Sequence, residues 1–391
     1  MNDERGVQLK AFSFEGKGEE FFKIWIVNVL LTILTLGIYS AWAKVRTQRY
    51  FYGNTYLDDA NFEYHATPLQ ILKGRLIAVG ALIIYIMLSN LFPVAGLVFL
   101  MIIMLASPWA IWSALRFNAK VSSYRQVKFA FAGELKKAYK YLLVVPAVPV
   151  LSLFALAGVG YWMDAPEEAV NILFAVGAMS VYLMVPYVQA LFKHYQINNS
   201  RYGQGEFQAE IKPSFYYLTY LKLFGLSLVA YFVIAGIFFA TIAGGAGMQA
   251  LSTADAESMP MAMLMAGPLM MLPFILIIAI GIWTKAYLQA RLRNYTLGRT
   301  SLDEDISFQS SVSTWKLFSI QITNLLLMMF TFGFAYPWTK VRLARYSAES
   351  TAVQMPANIS QYASEQQKKT SALGEEMGEA FDVDADLGFS L

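Results

Sequence analysis

The 391-residue sequence contains no cysteine and only two histidines. The absence of cysteine excludes disulfides and thiolate metal sites. The histidines, His65 and His194, lie far apart in polar segments, and no HExxH motif, metal-ligand spacing or glycine-rich phosphate loop occurs. We therefore expect no metal site, no cofactor and no enzymatic activity.

Charged residues are also scarce, at 15% of the chain against about 25% in a typical soluble protein. Hydrophobic residues make up 57%. Because about 20 apolar residues cross the hydrocarbon core of a bilayer, long charge-free runs predict membrane helices, singly or in pairs. These runs cover residues 24–43, 76–115, 141–163, 223–251 and 317–339.

Lysine and arginine are concentrated in four long loops, residues 44–75, 116–140, 193–222 and 285–316, whereas the alternate loops contain neither residue. Positively charged loops of membrane proteins remain in the cytoplasm, so we place these four loops there. The basic residues lie at the predicted membrane boundaries, which argues against a nucleic-acid partner and favours membrane lipids.

A loose pattern of basic, aromatic and small polar residues recurs along the chain and indicates internal repeats. Alternating segments such as "FSF" at residue 12, "FEY" at 62 and "FAF" at 129 predict short cytoplasmic strands that could pair with one another. The predicted domain organisation is a single membrane domain, residues 1–346, followed by an acidic and mostly disordered tail, residues 347–391. Its repeated units are residues 11–50, 62–117, 129–195, 207–295 and 308–346.

The first and last units share one phrase: "TLGIYSAWAKVRTQRY" at residues 35–50 returns, 296 residues later, as "TFGFAYPWTKVRLARY". The apolar segment before each phrase is single and short. It either crosses the membrane, giving eight spans with both termini outside, or turns back near Thr35 and Thr331, giving six spans with both termini inside. We favour the second arrangement. The expected fold class is an all-α polytopic membrane protein with six full transmembrane helices, two short or re-entrant terminal segments and short cytoplasmic β-strand elements.

These phrases, together with "FSFEGKGEEFF" near the N-terminus, resemble the YjgN family of bacterial inner-membrane proteins. The acidic end "GEAFDVDADLGFSL" is also similar to the C-terminus of that family. The resemblance implies a multi-pass protein of the bacterial inner membrane. It implies no activity, because the function of that family is unknown.

Two polar positions repeat inside the charge-free terminal segments: Asn28 aligns with Asn324, and Thr35 aligns with Thr331. Interhelical hydrogen bonding, which contributes roughly 0.6–2 kcal/mol in membranes, is the ordinary explanation. The functional alternative is that these side chains line a central cavity.

A second repeated set shares one helical face in each copy. Its arginines could bind phosphate or carboxylate groups bidentately, although headgroup anchoring explains the same pattern. The set comprises Trp42, Arg46, Arg49 and Tyr50 in the first copy, and Trp338, Arg342, Arg345 and Tyr346 in the second.

Two functions agree with these patterns. Internal repeats, kinked spans and matched intramembrane amides are typical of transporters, so the first is a transporter or channel-like permease for a small solute, with an anion favoured by the arginines. The alternative is a lipid-interacting or scaffolding membrane protein with a cytoplasmic interaction platform. A cavity leading from the matched asparagines to the arginines would favour the first, and a solidly packed bundle with an exposed strand platform would favour the second.

Overall fold

The computed structural model describes residues 7–163, 165–243, 259–303, 305–356 and 361–368. Along these residues the chain passes through five repeats, and each contains a strand, a pair of helical segments and a second strand. The chain also divides into two compact units. The first unit comprises residues 1–211, 296–310 and 336–391, and the second comprises residues 212–295 and 311–335.

The elements of the repeats are as follows in chain order. Repeat 1 contains β1 (Val7–Ala11), β2 (Ser13–Phe14), α1 (Gly18–Leu34), α2 (Ser40–Gly53) and β3 (Thr55–Leu57). Repeat 2 contains β4 (Ala60–Tyr64), α3 (Pro68–Leu91), α4 (Pro93–Lys120) and β5 (Ser122–Tyr124). Repeat 3 contains β6 (Val127–Phe131), α5 (Leu135–Tyr139), a π-helical turn (Lys140–Val144), α6 (Val145–Trp162), α7 (Glu167–Asn198) and β7 (Ser200–Tyr202). Repeat 4 contains β8 (Gly205–Ala209), α8 (Pro213–Ala243), α9 (Met259–Leu297) and β9 (Thr300–Leu302). Repeat 5 contains β10 (Ile306–Ser310), α10 (Thr314–Phe330), α11 (Tyr336–Glu349) and β11 (Thr351–Pro356), and a last helix, α12, covers residues 361–368.

The described strands belong to one antiparallel sheet in the order β1-β11-β10-β9-β8-β7-β6-β5-β4-β3-β2. A tight hairpin joins each repeat to the next. In the first two hairpins both turn residues have positive φ, at 47° and 59° for Asp58 and Asp59 and at 45° and 66° for Arg125 and Gln126. Turns of this hand match the twist of the paired strands.

The two ends of the sheet meet at a single residue. Strand β1 pairs with β11, where Leu9 lies opposite Gln354, while β2 pairs with β3. Only Phe12 separates β1 from β2, and its N–H donates to the carbonyl of Thr351 at 3.0 Å. The sheet is therefore a nearly closed barrel in which the N-terminal strand joins the C-terminal strand.

This barrel overturns the predicted all-α class. Strands do occur on both sides of Phe12 and at Phe62 and Phe129, where the alternation indicated them, but within the described residues eleven strands join into one continuous sheet. Each strand has only two to six residues, so its alternation is short, and its partner can lie hundreds of residues away. A local sequence pattern does not encode such distant pairing.

The eight-span alternative is also wrong. Strand β2 precedes the α1–α2 pair and β3 follows it, yet the two strands are neighbours in the sheet. Between α1 and α2 the chain turns at residues 35–39. The pair therefore begins and ends at the same sheet, whereas a single crossing would place β2 and β3 on opposite sides of the membrane.

The interior of the barrel is filled mainly by aromatic and aliphatic side chains. The ring of Phe62 stacks on Tyr124 with centroids 4.8 Å apart, and Phe129 lies 5.2 Å from Tyr202. Repeat-related phenylalanines thus pack against repeat-related tyrosines in the barrel core. The buried members are Leu57, Tyr124, Val127, Tyr202, Leu302, Ile306, Val353, Met355 and Ala363.

Helix α12 packs onto the end of the barrel that carries the hairpin turns. The buried Gln366 accepts a hydrogen bond from the N–H of Gln204 at 2.8 Å. Tyr362 donates to Asp303 at 2.6 Å, and Asp303 also accepts from the N–H of Glu206 at 2.8 Å. Part of the predicted disordered tail is thus a strand and a helix, while residues 369–391, with the acidic "AFDVDADLGF", lie outside the described residues.

Six described helical segments are long and apolar enough to cross a membrane. Helix α3 packs against α4 and α6 packs against α7, and 6–11% of each apolar window is buried by the described chain. The segments are Pro68–Leu91, Pro93–Lys120, Leu135–Trp162, Glu167–Asn198, Pro213–Ile237 and Met271–Leu297.

One of these segments widens into a π-helical turn, Lys140–Val144. The N–H of Val145 donates to the carbonyl of Lys140, five residues back. Pro146 follows at once, and proline has no N–H for the carbonyl of Leu142 and clashes with it in a regular α-helix. The proline therefore accounts for the wider turn, a feature that is frequent at functional sites.

Candidate functional site

The matched threonines close the turns of the two terminal repeats. Thr35 donates to the carbonyl of Leu31 at 2.7 Å and accepts from the N–H of Tyr39 at 2.9 Å. Thr331 donates to Leu327 at 2.7 Å and accepts from Ala335 at 3.1 Å. The next residues, Leu36–Gly37 and Phe332–Gly333, all have positive φ. Both threonine hydroxyls are therefore used by their own turns.

Asn28 is buried and links α1 to α2. Its amide nitrogen lies 3.5 Å from the carbonyl of Ala43, and its amide oxygen lies 3.4 Å from Arg46, which also donates to Tyr39 at 3.1 Å. The structure thus joins two predicted site residues, Asn28 and Arg46, within one helix pair. Asn324 lies half-buried on α10 in the second compact unit.

The second arginine of each copy binds backbone at the start of another repeat. Arg49 donates to the carbonyl of Ala66, just before α3, at 3.3 Å. Arg345 donates to the carbonyl of Gly16, just before α1, at 3.0 Å. The same relation recurs where His194 Nδ1 lies 3.2 Å from the carbonyl oxygen of Ala209. Each of these side chains connects the end of one repeat to the region between the first strand and the first helix of another repeat.

Tyr50 closes the linker of its own repeat. Its hydroxyl accepts from the N–H of Lys17 at 2.7 Å and donates to the carbonyl of the same residue at 2.8 Å. Burial raises the pKa of this phenol, and Glu20 nearby adds to the rise. Tyr195 makes the equivalent contact in repeat 3, donating to the carbonyl of Glu134 at 2.9 Å.

The remaining members of the predicted set do not converge on one point. Trp42 stacks beside Tyr39 at 6.1 Å. Trp338 packs beside Phe22 at 5.2 Å and over Gly18, where a methyl group would overlap the indole. Arg342 is exposed and Tyr346 is buried.

A cavity of about 670 Å³ lies where repeat 3 enters the membrane. Its lining combines two lysines, one carboxylate and a phenol with aliphatic side chains. The sequence placed these lysines in a basic cytoplasmic loop and did not indicate a cavity. The signal that could have indicated one is Pro146, which favours the π-helical turn that contributes Lys140 and Val144 to the lining. The lining residues are Glu134, Leu135, Lys136, Tyr139, Lys140 and Val144.

Ser123, His65 and Glu63 form a polar cluster on the barrel. Ser123 Oγ lies 2.7 Å from His65 Nε2 and donates to Glu63 at 3.1 Å, while Glu63 lies 3.4 Å from the same histidine nitrogen. In a catalytic triad the carboxylate binds the other ring nitrogen and the serine is accessible. Ser123 is 1% exposed, so this cluster joins β4 to β5 and is not a nucleophilic site.

No group of three His, Cys, Asp or Glu side chains within the described residues is arranged to hold a metal ion.

Six membrane-capable helices attached to a β-barrel define a multi-pass membrane protein. The chain belongs to the family described as "Bacterial protein of unknown function (DUF898)", which matches residues 9–380. It is 30% identical over 361 residues to Inner membrane protein YjgN of Salmonella typhimurium, covering 87% of each chain, and 25% identical over 358 residues to Inner membrane protein YjgN of Escherichia coli, covering 89% of each. No solved structure matches. The protein is therefore a multi-pass protein of the bacterial inner membrane.

Proposed function

We propose that this protein is a lipid-interacting membrane scaffold with a cytoplasmic interaction platform. The observation that carries the proposal is the low burial of the membrane helices, 6–11% of each apolar window. Helices that enclose a solute pathway pack closely against one another around it. Most apolar side chains of these spans are instead available to lipid or to another membrane protein.

The contacts of the repeated polar residues support the same function. Thr35 and Thr331 bond within their turns, and Asn28 bonds to Arg46 of the neighbouring helix. Arg49 and Arg345 bond to backbone carbonyls of the linkers. Each of these groups has a structural task, so a permease, which would use them to contact a solute, is less well supported.

The barrel supports the platform half of the proposal. Its aromatic core and the α12 helix make it a packed body rather than a conduit. Its strands alternate between buried and exposed residues, as in β8, which leaves a polar outer surface such as Glu206 and Gln208 in the cytoplasm.

The test compares lipid binding with solute transport. The full-length protein, purified in detergent, is titrated with inner-membrane phospholipids, and its unfolding temperature is followed. A ligand that binds the folded state raises that temperature. We expect a saturable rise, and no uptake of phosphate or small carboxylates by proteoliposomes above that of empty liposomes. Saturable uptake without lipid stabilisation would contradict the scaffold.

A further inference from the structure

We propose that the cavity at the start of repeat 3 binds the phosphate-bearing headgroup of an anionic phospholipid. This proposal deepens the proposed lipid-interacting function and rests on it, because it names the lipid class and the site. The two cationic groups of the cavity are Lys136 and Lys140.

The charges of the cavity leave an excess of positive charge. Three lysines lie within five residues, and Lys137 pairs with Glu134 at 2.9 Å. Lys136 and Lys140 are exposed, and neither forms an ion pair with any residue of the described chain. The carboxylate of the cavity is thus already matched, and two ammonium groups remain for an anion.

The position of the cavity indicates that the bound anion is the headgroup of a lipid. The apolar segment Leu135–Trp162 begins at the cavity, which places the two lysines at the cytoplasmic headgroup level. Lysine is a common ligand for phosphate, and basic pockets beside membrane helices on this side bind anionic headgroups.

The helix that continues from the cavity has exposed apolar side chains against which an acyl chain can pack. Val144 lines the cavity and is 56% exposed, and Val148 and Leu151 follow on the same face at 59% and 65% exposed. Tyr139 adds an aromatic ring and a hydroxyl at the interface, where such side chains are favoured. A headgroup on the lysines would therefore leave its chain against apolar side chains.

The test uses fluorescent phosphatidylglycerol and the full-length protein in zwitterionic detergent. Each lysine–phosphate hydrogen bond is charge-assisted, so we expect the Lys136→Gln/Lys140→Gln variant to bind about tenfold more weakly than wild type. The matched control is Lys73→Gln/Lys222→Gln, which removes the same charge from exposed positions in α3 and α8. We expect the control to bind within about twofold of wild type, and Lys136→Arg/Lys140→Arg to retain binding.

Three outcomes would overturn the site. The first two are an equal loss of phosphatidylglycerol binding in the cavity variant and the control, and no loss of binding in the cavity variant. The third is displacement of phosphatidylglycerol by millimolar inorganic phosphate, which would indicate a site for free phosphate. Unfolding temperatures without lipid verify that each variant is folded. The two proposals fail separately. Lipid stabilisation that persists in the cavity variant rejects this site alone, whereas lysine-dependent lipid binding by a protein that also transports solute rejects the scaffold alone.

Discussion

Single side chains bond to backbone at the strand–helix linkers, and Tyr50 does so within its own repeat. Its hydroxyl bonds to both the N–H and the carbonyl of Lys17. We expect Tyr50→Phe to lower the free energy of unfolding by about 1–2 kcal/mol, because the ring remains and two hydrogen bonds are lost. Chemical unfolding in detergent measures the change.

A neighbouring tyrosine supplies the control for that experiment. The ring of Tyr52 packs against Tyr64 with centroids 5.3 Å apart. Tyr52→Phe removes a hydroxyl from the same helix, and its effect should stay within about 0.5 kcal/mol. Equal losses in the two variants would show that the bonds of Tyr50 to the linker do not stabilise the fold.

The phenols of the barrel predict a loss of stability at alkaline pH. Burial raises the pKa of Tyr124, Tyr202 and Tyr362 above the ordinary value of 10.0, and Asp303 adds to the rise at Tyr362. A raised pKa in the folded state stabilises the protein fully below the unfolded value, and this stabilisation disappears as pH rises through the folded pKa. The unfolding temperature should therefore fall from about pH 10 upward.

The Tyr202→Phe variant distinguishes the effect of a buried phenol on alkaline stability from the effect of lysines, which lose their charge in the same pH range. The variant loses the hydrogen bond from Tyr202 to the carbonyl of Tyr124, 3.0 Å long, and should be less stable than wild type at pH 8. The difference in stability between wild type and the variant should narrow between pH 10 and pH 12. Only wild type contains this phenol, which ionises when the chain unfolds in that pH range. If this difference in stability stays constant over the same pH range, the Tyr202 phenol is not a cause of the alkaline loss of stability.

At the scale of elements, helix α12 is the part that can be removed most cleanly. It contributes Tyr362, Ala363 and Gln366 to the barrel. Deleting residues 357–391 should destabilise the barrel by roughly 2–4 kcal/mol, from lost burial and lost hydrogen bonds. The measurement is chemical unfolding together with limited proteolysis, which should newly cleave the β7–β8 hairpin.

Deleting only residues 369–391 is the matched truncation, since it keeps α12. We expect its barrel to have wild-type stability and wild-type protease resistance. If this shorter truncation destabilises the barrel as much as the longer one does, then α12 is not the stabilising part of the C-terminal region.

The helices and the strands also differ in how well the sequence predicts them. Charge-free runs revealed the membrane helices, because burial in lipid imposes a long and local constraint. The sequence predicted a few separate strands from alternating residues but not their closure into a barrel. It did not predict strand β11, "TAVQMP", which lies in a polar tail. Composition does not reveal the lysine cavity, because two of its lining residues, Lys140 and Val144, belong to a widened helical turn.

At the scale of the whole molecule, the barrel predicts that both chain ends lie on the same side of the membrane. Strands β1 and β11 pair with each other and belong to the same sheet as the hairpins of the basic loops. Because those loops are predicted to be cytoplasmic, both ends of the chain should be cytoplasmic as well. Green fluorescent protein fused to the C-terminus should be fluorescent, and alkaline phosphatase fused there should be inactive. The reverse result would contradict this topology.

The pairing of β1 with β11 also has a consequence for biosynthesis. About 340 residues separate the two strands. At roughly 5–20 residues per second, the ribosome makes β11 some 20–70 s after β1, during which the membrane helices can insert. Throughout that interval β1 carries an unpaired edge, which invites aggregation. The brevity of β1 and its Lys10 reduce that risk, and a truncated nascent chain, lacking β11, would present an open sheet to cellular quality control.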